Sequence, residues 1–368
     1  MKIVGVEAVP LSIPSDYGAD AMRLGSGGWK SLDFCLVRVD TDAGLTGWGE
    51  AFSYSCRRAV VAAVRDMIAP IVVGRDAGRD AADITALHAE IQKRLHIFGR
   101  FGITAFALSG LDIALWDLAG KAAGKSLHAL LGGAKRERLA CYASLLRYSE
   151  PSLVARECEQ ALADGFAAIK LHEVSEPAIA AARAVLPRDT PLLLDVNCEW
   201  SVEDAIAIGR RLAPMAPGWF EEPVFPPEDA AGLRAVGDAT GIPIAAGENC
   251  CFLKQFAALF DAGAVQYAQP SVTKVGGITE FRKIASLALQ RGVKLAPHSP
   301  YFGPGAIATL HLIAALAPQA RFEYFYLRGE ASLYGSLLSP RSGELQVPVG
   351  PGLGADPDPD VIRRYRAD

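Results

Sequence analysis

The chain has 368 residues, 51% hydrophobic and 21% charged, which is room for about two domains and excludes a disordered, collagen-like or low-complexity protein. Lys and Arg total 37 against 41 Asp and Glu, a net charge of -4. No basic surface for nucleic acid or membrane is therefore expected, and no apolar run approaches the roughly 18 residues of a membrane span.

Met1 to Pro14 alternates and is short, and reads as a strand, not a signal peptide. Phe34–Asp40 and Leu45–Ala51 flank the turn Thr41-Asp42-Ala43-Gly44, a hairpin signal. Residues 58 to about 130 read as helices. Among them Ala105–Gly124 is apolar nearly all round and stops at a glycine, which predicts a buried helix. Strands followed by helices make this first part α+β.

From about residue 139 the pattern changes to apolar runs alternating with helical stretches. The runs begin near Leu139, Ala167, Pro191, Gly218, Ile242, Ala264, Val293 and Arg321, about 22–29 residues apart, the length of one βα unit. Eight such runs predict a closed (β/α)8-type barrel, which needs about 250 residues and leaves about 100 for another domain. An open doubly wound sheet usually begins with a glycine-rich phosphate turn, and no GxGxxG or GxxxxGK[ST] occurs. The Gly- and Pro-rich tail from about Ala331 is expected to be extended and to lie over another domain. Seven scattered cysteines without a CxxC pair fit reduced thiols in a cytoplasm.

The barrel runs end in polar residues that an apolar strand does not need: Lys170 and His172, Asp195 and Asn197, Glu221 and Glu222, Glu248, Ser271 and Lys274, His298, and Glu323 within the eighth. Barrel active sites lie at the C-terminal ends of strands, so these should converge. Three acids on successive strands, Asp195, Glu221 and Glu248, would repel unless a cation joins them, and an all-oxygen set favours Mg2+ over Zn2+. Glu222, next to Glu221, should point to the other side of its strand. Lys170 and His172 share one strand face, and His298 comes from across the barrel, so proton-transfer groups flank the metal site. A lysine beside a cation and a second base is expected to have a depressed pKa. This kit suits removal of the α-proton of a carboxylate substrate, with the metal stabilising the enediolate, a pairing of Lys or His bases with Mg2+ for which the enolase superfamily is the standard example. His88, His96, His128 and His311 fall on helical stretches and read as structural.

Two further signatures carry a resemblance. Gly110-Leu111-Asp112-Ile113-Ala114-Leu115-Trp116-Asp117 is followed by Leu130-Leu131-Gly132-Gly133, and the barrel holds KLH, DVN, EEP, GEN, KVGG and PHS in order. The chain resembles the mandelate racemase/muconate lactonizing enzyme family of the enolase superfamily over essentially its whole length. The resemblance implies a modified (β/α)7β TIM barrel over 131–330, an α+β capping domain over 1–130 and a tail over 331–368 completing that cap. It implies Mg2+ on Asp195, Glu221 and Glu248, His172 at the base position with Lys170 as electrostatic support, and Glu323 near the substrate carboxylate. His298 matches the histidine of a His-Asp dyad, but Ser271 stands where the Asp belongs. A neutral serine cannot stabilise imidazolium as a carboxylate does, so His298 should be a weaker base that still serves as an acid. Lys274 matches the lysine that does the chemistry in the lactonizing group.

That substitution favours dehydration of a sugar acid to a 2-keto-3-deoxy acid over two-base racemisation or epimerisation. A lactone cycloisomerase and a catalytically silent binding barrel are the other readings. Tyr17–Lys30 holds four glycines, which suits a lid over the site. Arg23, Lys30 and Tyr54, with Arg57 as a fourth, are the expected polar cap contacts to the substrate, and Asn197 and Ser271 the supporting residues within the barrel. The expected partners are a small carboxylate substrate and further copies of the chain in a homo-oligomer.

Overall fold

The computed structural model describes residues 1–16 and 30–367. Three strands open the cap: β1 (Ile3–Asp16), β2 (Ser31–Thr41) and β3 (Thr46–Ala51), antiparallel in that order. The expected hairpin joins β2 to β3 with Gly44 at φ 75°, a conformation that glycine adopts without steric cost. The helix Ile103–Ala123 lies against this sheet and ends at Gly124 in the left-handed conformation. The approach is close because both surfaces carry glycine: a Cβ on Gly49 would sit 1.9 Å from the Gly110 carbonyl oxygen. Asp117 locks the same contact by accepting from the Trp48 N–H at 2.9 Å. Contrary to the sequence expectation, this helix is long and apolar enough to cross a membrane by length and composition. Here 89% of its most apolar stretch is buried inside the protein.

The barrel follows the eight expected runs: β4 (Arg138–Ser144), β5 (Ile169–Leu171), β6 (Leu192–Asp195), β7 (Trp219–Glu221), β8 (Ile244–Ala246), β9 (Tyr267–Ala268), β10 (Lys294–Leu295) and β11 (Phe322–Phe325). They pair in parallel in the order β10-β9-β8-β7-β6-β5-β4-β11, and a helix follows each of the first seven, so this is a (β/α)7β barrel under an α+β cap. The seam between β10 and β11 closes through side chains: the backbone N–H of Ser299, just past β10, donates to Glu323 Oε2 at 2.8 Å, and its hydroxyl donates to the Glu323 carbonyl at 3.1 Å. Tyr142, Leu193, Trp219, Ala245 and Ala296 fill the barrel interior, with the Tyr142 and Trp219 rings edge to face at 5.8 Å.

The tail, with the two residues Arg328–Gly329 shortly before it, touches both halves of the molecule. Arg328–Gly329 pairs with the end of β1, Arg366 bridges to Leu11 and reaches Glu7 at 2.6 Å, and Leu353 N–H donates to Asp117 at 2.8 Å, all on the cap. Glu344–Gln346 instead adds antiparallel to β4, so the tail is shared between cap and barrel. All seven cysteines are free.

Candidate active site

The strand ends bring the polar residues to one mouth of the barrel. Lys170 lies in β5 and His172 just beyond it. Asp195 and Glu221 are the last residues of β6 and β7 and pair directly in register, so their side chains leave neighbouring strands side by side. Glu248 lies two residues past β8. One oxygen from each of Asp195, Glu221 and Glu248 falls within 4.8 Å of the others. Three hard oxygen donors at that spacing, with no nitrogen or sulfur among them, fit Mg2+. Glu221 is braced by the indole N–H of Trp219, two residues earlier on the same face, at 2.9 Å. Asn197 adopts φ 48° and its N–H donates to Asp195 Oδ1 at 3.0 Å. Its side-chain oxygen is buried and without a hydrogen-bond partner among the described residues.

Lys170 is fully buried beneath the acids. Its Nζ lies 3.0 Å from Asp195, 3.0 Å from Glu221 and 2.7 Å from Glu323. Burial works to strip its proton, but Glu221, Glu323 and Asp195 outweigh that and hold its pKa well above the ordinary value. The expected depression concerns a lysine beside a bound cation; among the protein's own groups Lys170 is the counter-charge of three buried carboxylates. Burial also opposes ionisation of Asp195, yet Lys170 and His172 bring its pKa well below the usual range. Glu221 goes the other way, pushed up by burial and by the Asp195 charge. Glu323 is spoken for on every side, by Lys170, by the Ser144 hydroxyl at 2.9 Å and by the Ser299 N–H.

Two histidines bracket the acids. His172 Nε2 lies 3.2 Å from Asp195 Oδ2. Its Nδ1 donates to the Leu145 carbonyl, which can only accept, so the ring is held with Nε2 toward the acids. Arg147 Nε donates to the His172 carbonyl at 2.6 Å and steadies that position. On the other side His298 Nε2 lies 2.9 Å from Glu248 Oε2. Burial resists the Glu248 charge, but His298 and Lys274 lower its pKa to about 2. Lys274 Nζ donates to Asn249 Oδ1 at 3.2 Å, stands 3.9 Å from Glu248 and lies over the Phe52 ring at 4.9 Å. Glu222 turns away from the three clustered carboxylates, accepting from Asn249 Nδ2 at 2.6 Å and from the Cys198 thiol at 3.3 Å. Burial, with the Glu248 charge, pushes its pKa up to about 7.

The Ser271 hydroxyl is bonded to the hydroxyl of Tyr301, and Tyr301 in turn lies 3.2 Å from His298 Nδ1. Tyr301 is the residue that sequence reasoning missed. It lies three positions beyond His298, outside the strand, where no alternation places it. The cap residues are distributed differently from expectation. Tyr54 donates its hydroxyl to the Pro300 carbonyl, beside Tyr301. Arg57 is paired with Asp33 at 2.5 Å within the cap. The Lys30 side chain is exposed and its carbonyl accepts from the Ser15 N–H at 3.2 Å. Arg23 and the rest of the expected lid, residues 17–29, lie outside the described residues.

A capped barrel with three clustered carboxylates at its mouth and a histidine on either side defines a class of enzyme. Residues 153–361 match the family described as enolase C-terminal domain-like, and residues 19–132 match the mandelate racemase/muconate lactonizing enzyme N-terminal domain. The chain belongs to the enolase superfamily, in its mandelate racemase/muconate lactonizing branch. It is 33% identical to a D-galactarolactone cycloisomerase of Agrobacterium fabrum, over 90% of each chain. It is likewise 33% identical to a D-galactonate dehydratase of Ralstonia nicotianae, over 90% of this chain and 91% of that one. Among solved structures, a racemase from Streptomyces coelicolor with bound magnesium superposes with a TM-score of 0.85 at 29% identity, covering 99% of this chain and 100% of that one.

Proposed function

We propose that the protein removes the α-proton of a sugar acid and expels the hydroxyl on the adjacent carbon as water, yielding a 2-keto-3-deoxy acid. The observation that carries this reading is the placement of His172 and His298 on opposite sides of the three carboxylates, each with Nε2 toward the mouth. His172 takes the α-proton on Nε2 while Leu145 holds its Nδ1–H. The electron pair of the broken C–H bond forms the new carbon–carbon double bond. The C–O bond at the β-carbon breaks as His298 gives its proton to the departing oxygen. The resulting enol takes up a proton to become the ketone. A Mg2+ held by Asp195, Glu221 and Glu248 would supply positive charge to the substrate carboxylate as the α-proton leaves. Lys170 sets its ammonium beneath Asp195 and Glu221 and holds them in place from below.

A second reading keeps the same two histidines and changes only the leaving oxygen. If that oxygen belongs to a lactone or anhydro ring, the product is an isomer and the enzyme a cycloisomerase, as the likeness to D-galactarolactone cycloisomerase supports. Racemisation has less support, because Nδ1 of His298 faces the Tyr301 hydroxyl where a carboxylate would be needed to make it a strong base.

The test is a panel of sugar acids, lactones and anhydro acids incubated with protein and Mg2+ in D2O. Formation of 2-keto acid from open-chain hydroxy acids establishes dehydration. Keto acid from ring substrates alone establishes cycloisomerisation. Deuterated substrate without keto product indicates epimerisation, and absence of α-proton exchange across the panel overturns the reading.

A further inference from the structure

We propose that the end of the barrel opposite the acids holds a second ligand site, which takes a small aromatic carboxylate of the phenylalkanoate kind. A cavity of about 680 Å³ opens there, among the N-terminal ends of β6, β7, β9, β10 and β11. Small-molecule sites occupy roughly 300–1,000 Å³. The cavity originates in the side chains that the strands send inward. Trp219 and Tyr267 fill one side of the barrel interior, their ring centroids 5.3 Å apart, while Ala296, just past β10, contributes only a methyl group on the other. Among the described residues β10 and β11 make no backbone pairing, so the interior stays open along that seam. Leu193 forms part of the floor, and Leu289, 83% exposed on the helix Gly277–Arg291, carries the apolar wall out to solvent.

The charge at the rim selects the ligand. Lys135, Lys294 and Arg321 line the cavity, all three exposed, and no Asp or Glu lies among its lining residues. Among the described residues none of these cations is in an ion pair, and Lys294 lies instead over the Tyr267 ring at 5.3 Å, joining the charged rim to the aromatic wall. A carboxylate at the rim gains their attraction while it stays in water, and its ring leaves water to pack against Trp219 and Tyr267. A cationic ligand meets like charge there, and a hydroxylated sugar acid would set its hydroxyls against mainly apolar walls. The two ends of the barrel thus suit different ligands. Trp219 is the partition between them, since its side chain lines the cavity and its indole N–H donates to Glu221 at 2.9 Å.

The test is isothermal titration calorimetry of the full-length protein in Mg2+ with 4-phenylbutyrate, 4-phenylbutylamine and acetate. The phenyl acid should bind at least about tenfold more tightly than the amine, which carries the wrong charge, and than acetate, which lacks the ring. In Lys294→Glu/Arg321→Glu, both at exposed positions at the opposite end of the barrel from the acids, affinity for phenylbutyrate should fall about tenfold while the melting temperature stays near native. The neutral pair Lys294→Gln/Arg321→Gln should lose less, and it carries the test if the charge reversal unfolds the protein. Binding of the probe through a metal at the mouth would persist in both variants, so an affinity that neither changes overturns the proposal. Equal affinity for acid and amine does the same, as does no binding of the acid up to about 10 mM. If the native protein binds no phenylbutyrate and Leu289→Glu splits an oligomer, a second copy of the chain covers this face and the proposal falls.

Discussion

Lys170 on β5 and Glu323 on β11 meet across the intervening strand β4, ammonium to carboxylate at 2.7 Å, and neither is exposed to solvent. The same ammonium also serves Asp195 and Glu221. Removing one partner of a buried ionic group leaves uncompensated charge, which typically costs about 3–5 kcal/mol. Lys170→Met is therefore expected to lower unfolding stability by about that amount in urea, and added Mg2+ should recover part of it by bringing positive charge to the same acids. Stability equal to the native protein without Mg2+ would contradict the counter-charge role.

Glu221→Gln keeps the shape and removes one anionic donor from the oxygen triad. Even groups that only support metal ligands affect affinity by about 10–100-fold. A loss exceeding about 100-fold in Mg2+ affinity is expected by calorimetric titration. An unchanged titration would refute Glu221 as a ligand.

His172→Ala removes the group on the Asp195 side. A positioned general base contributes about 100- to 10,000-fold. Exchange of the substrate α-proton in D2O, followed by proton NMR, should fall by about that factor while Mg2+ affinity stays near native. Exchange at the native rate would assign the base elsewhere.

Glu50 gives a pH dependence with a definite sign. It is buried where β3 meets the start of the helix Pro304–Leu316, and Gly305 N–H donates to it at 2.8 Å. Burial outweighs that bond and raises its pKa from 4.5 to about 7. The folded protein thus binds a proton that the unfolded chain has released between those values. Stability contributed by this site is highest below pH 4.5 and falls as pH rises to about 7, by up to roughly 3 kcal/mol at about 1.4 kcal/mol per pKa unit. Glu50→Gln should accordingly raise the melting temperature at pH 8 and change it little at pH 4.5. An equal shift at both values would rule out titration of Glu50 as the cause.

Gly49→Ala tests the contact between cap sheet and helix. The new methyl would overlap backbone at Gly110, which no side-chain rotation relieves. A loss of about 1–3 kcal/mol or more is expected from such overpacking, read as a lower melting temperature. A matching Gly44→Ala offers a contrast: among the described residues no atom lies within 4 Å of its Cβ, and the φ of 75° resists it.

The order of the strands, the hairpin and the buried helix were legible because each rests on local signals: alternation, a turn tetrad, an all-round apolar stretch with a terminal glycine. The three candidate ligands were legible for a related reason. An acid ending an apolar strand has one place to go in a parallel barrel, and Asp195, Glu221 and Glu248 do meet there. The helix Ile103–Ala123 shows the limit of composition, since burial against the β3 glycines distinguishes it from a membrane span.

The sequence by itself determined which strand ends carry acids and which carry histidines and lysines, because period and strand-end position are properties of neighbouring residues. Only the tertiary structure decided what those groups do to one another. Lys170 is placed by its strand near the acids, and the closed barrel surrounds its ammonium with three carboxylates from β6, β7 and β11. Ser271 was read as a missing partner for His298, and Tyr301 reaches the imidazole from a loop braced by the cap. Charge balance and hydrogen-bond direction depend on distances between residues far apart in the chain, and those distances exist only once the barrel has closed.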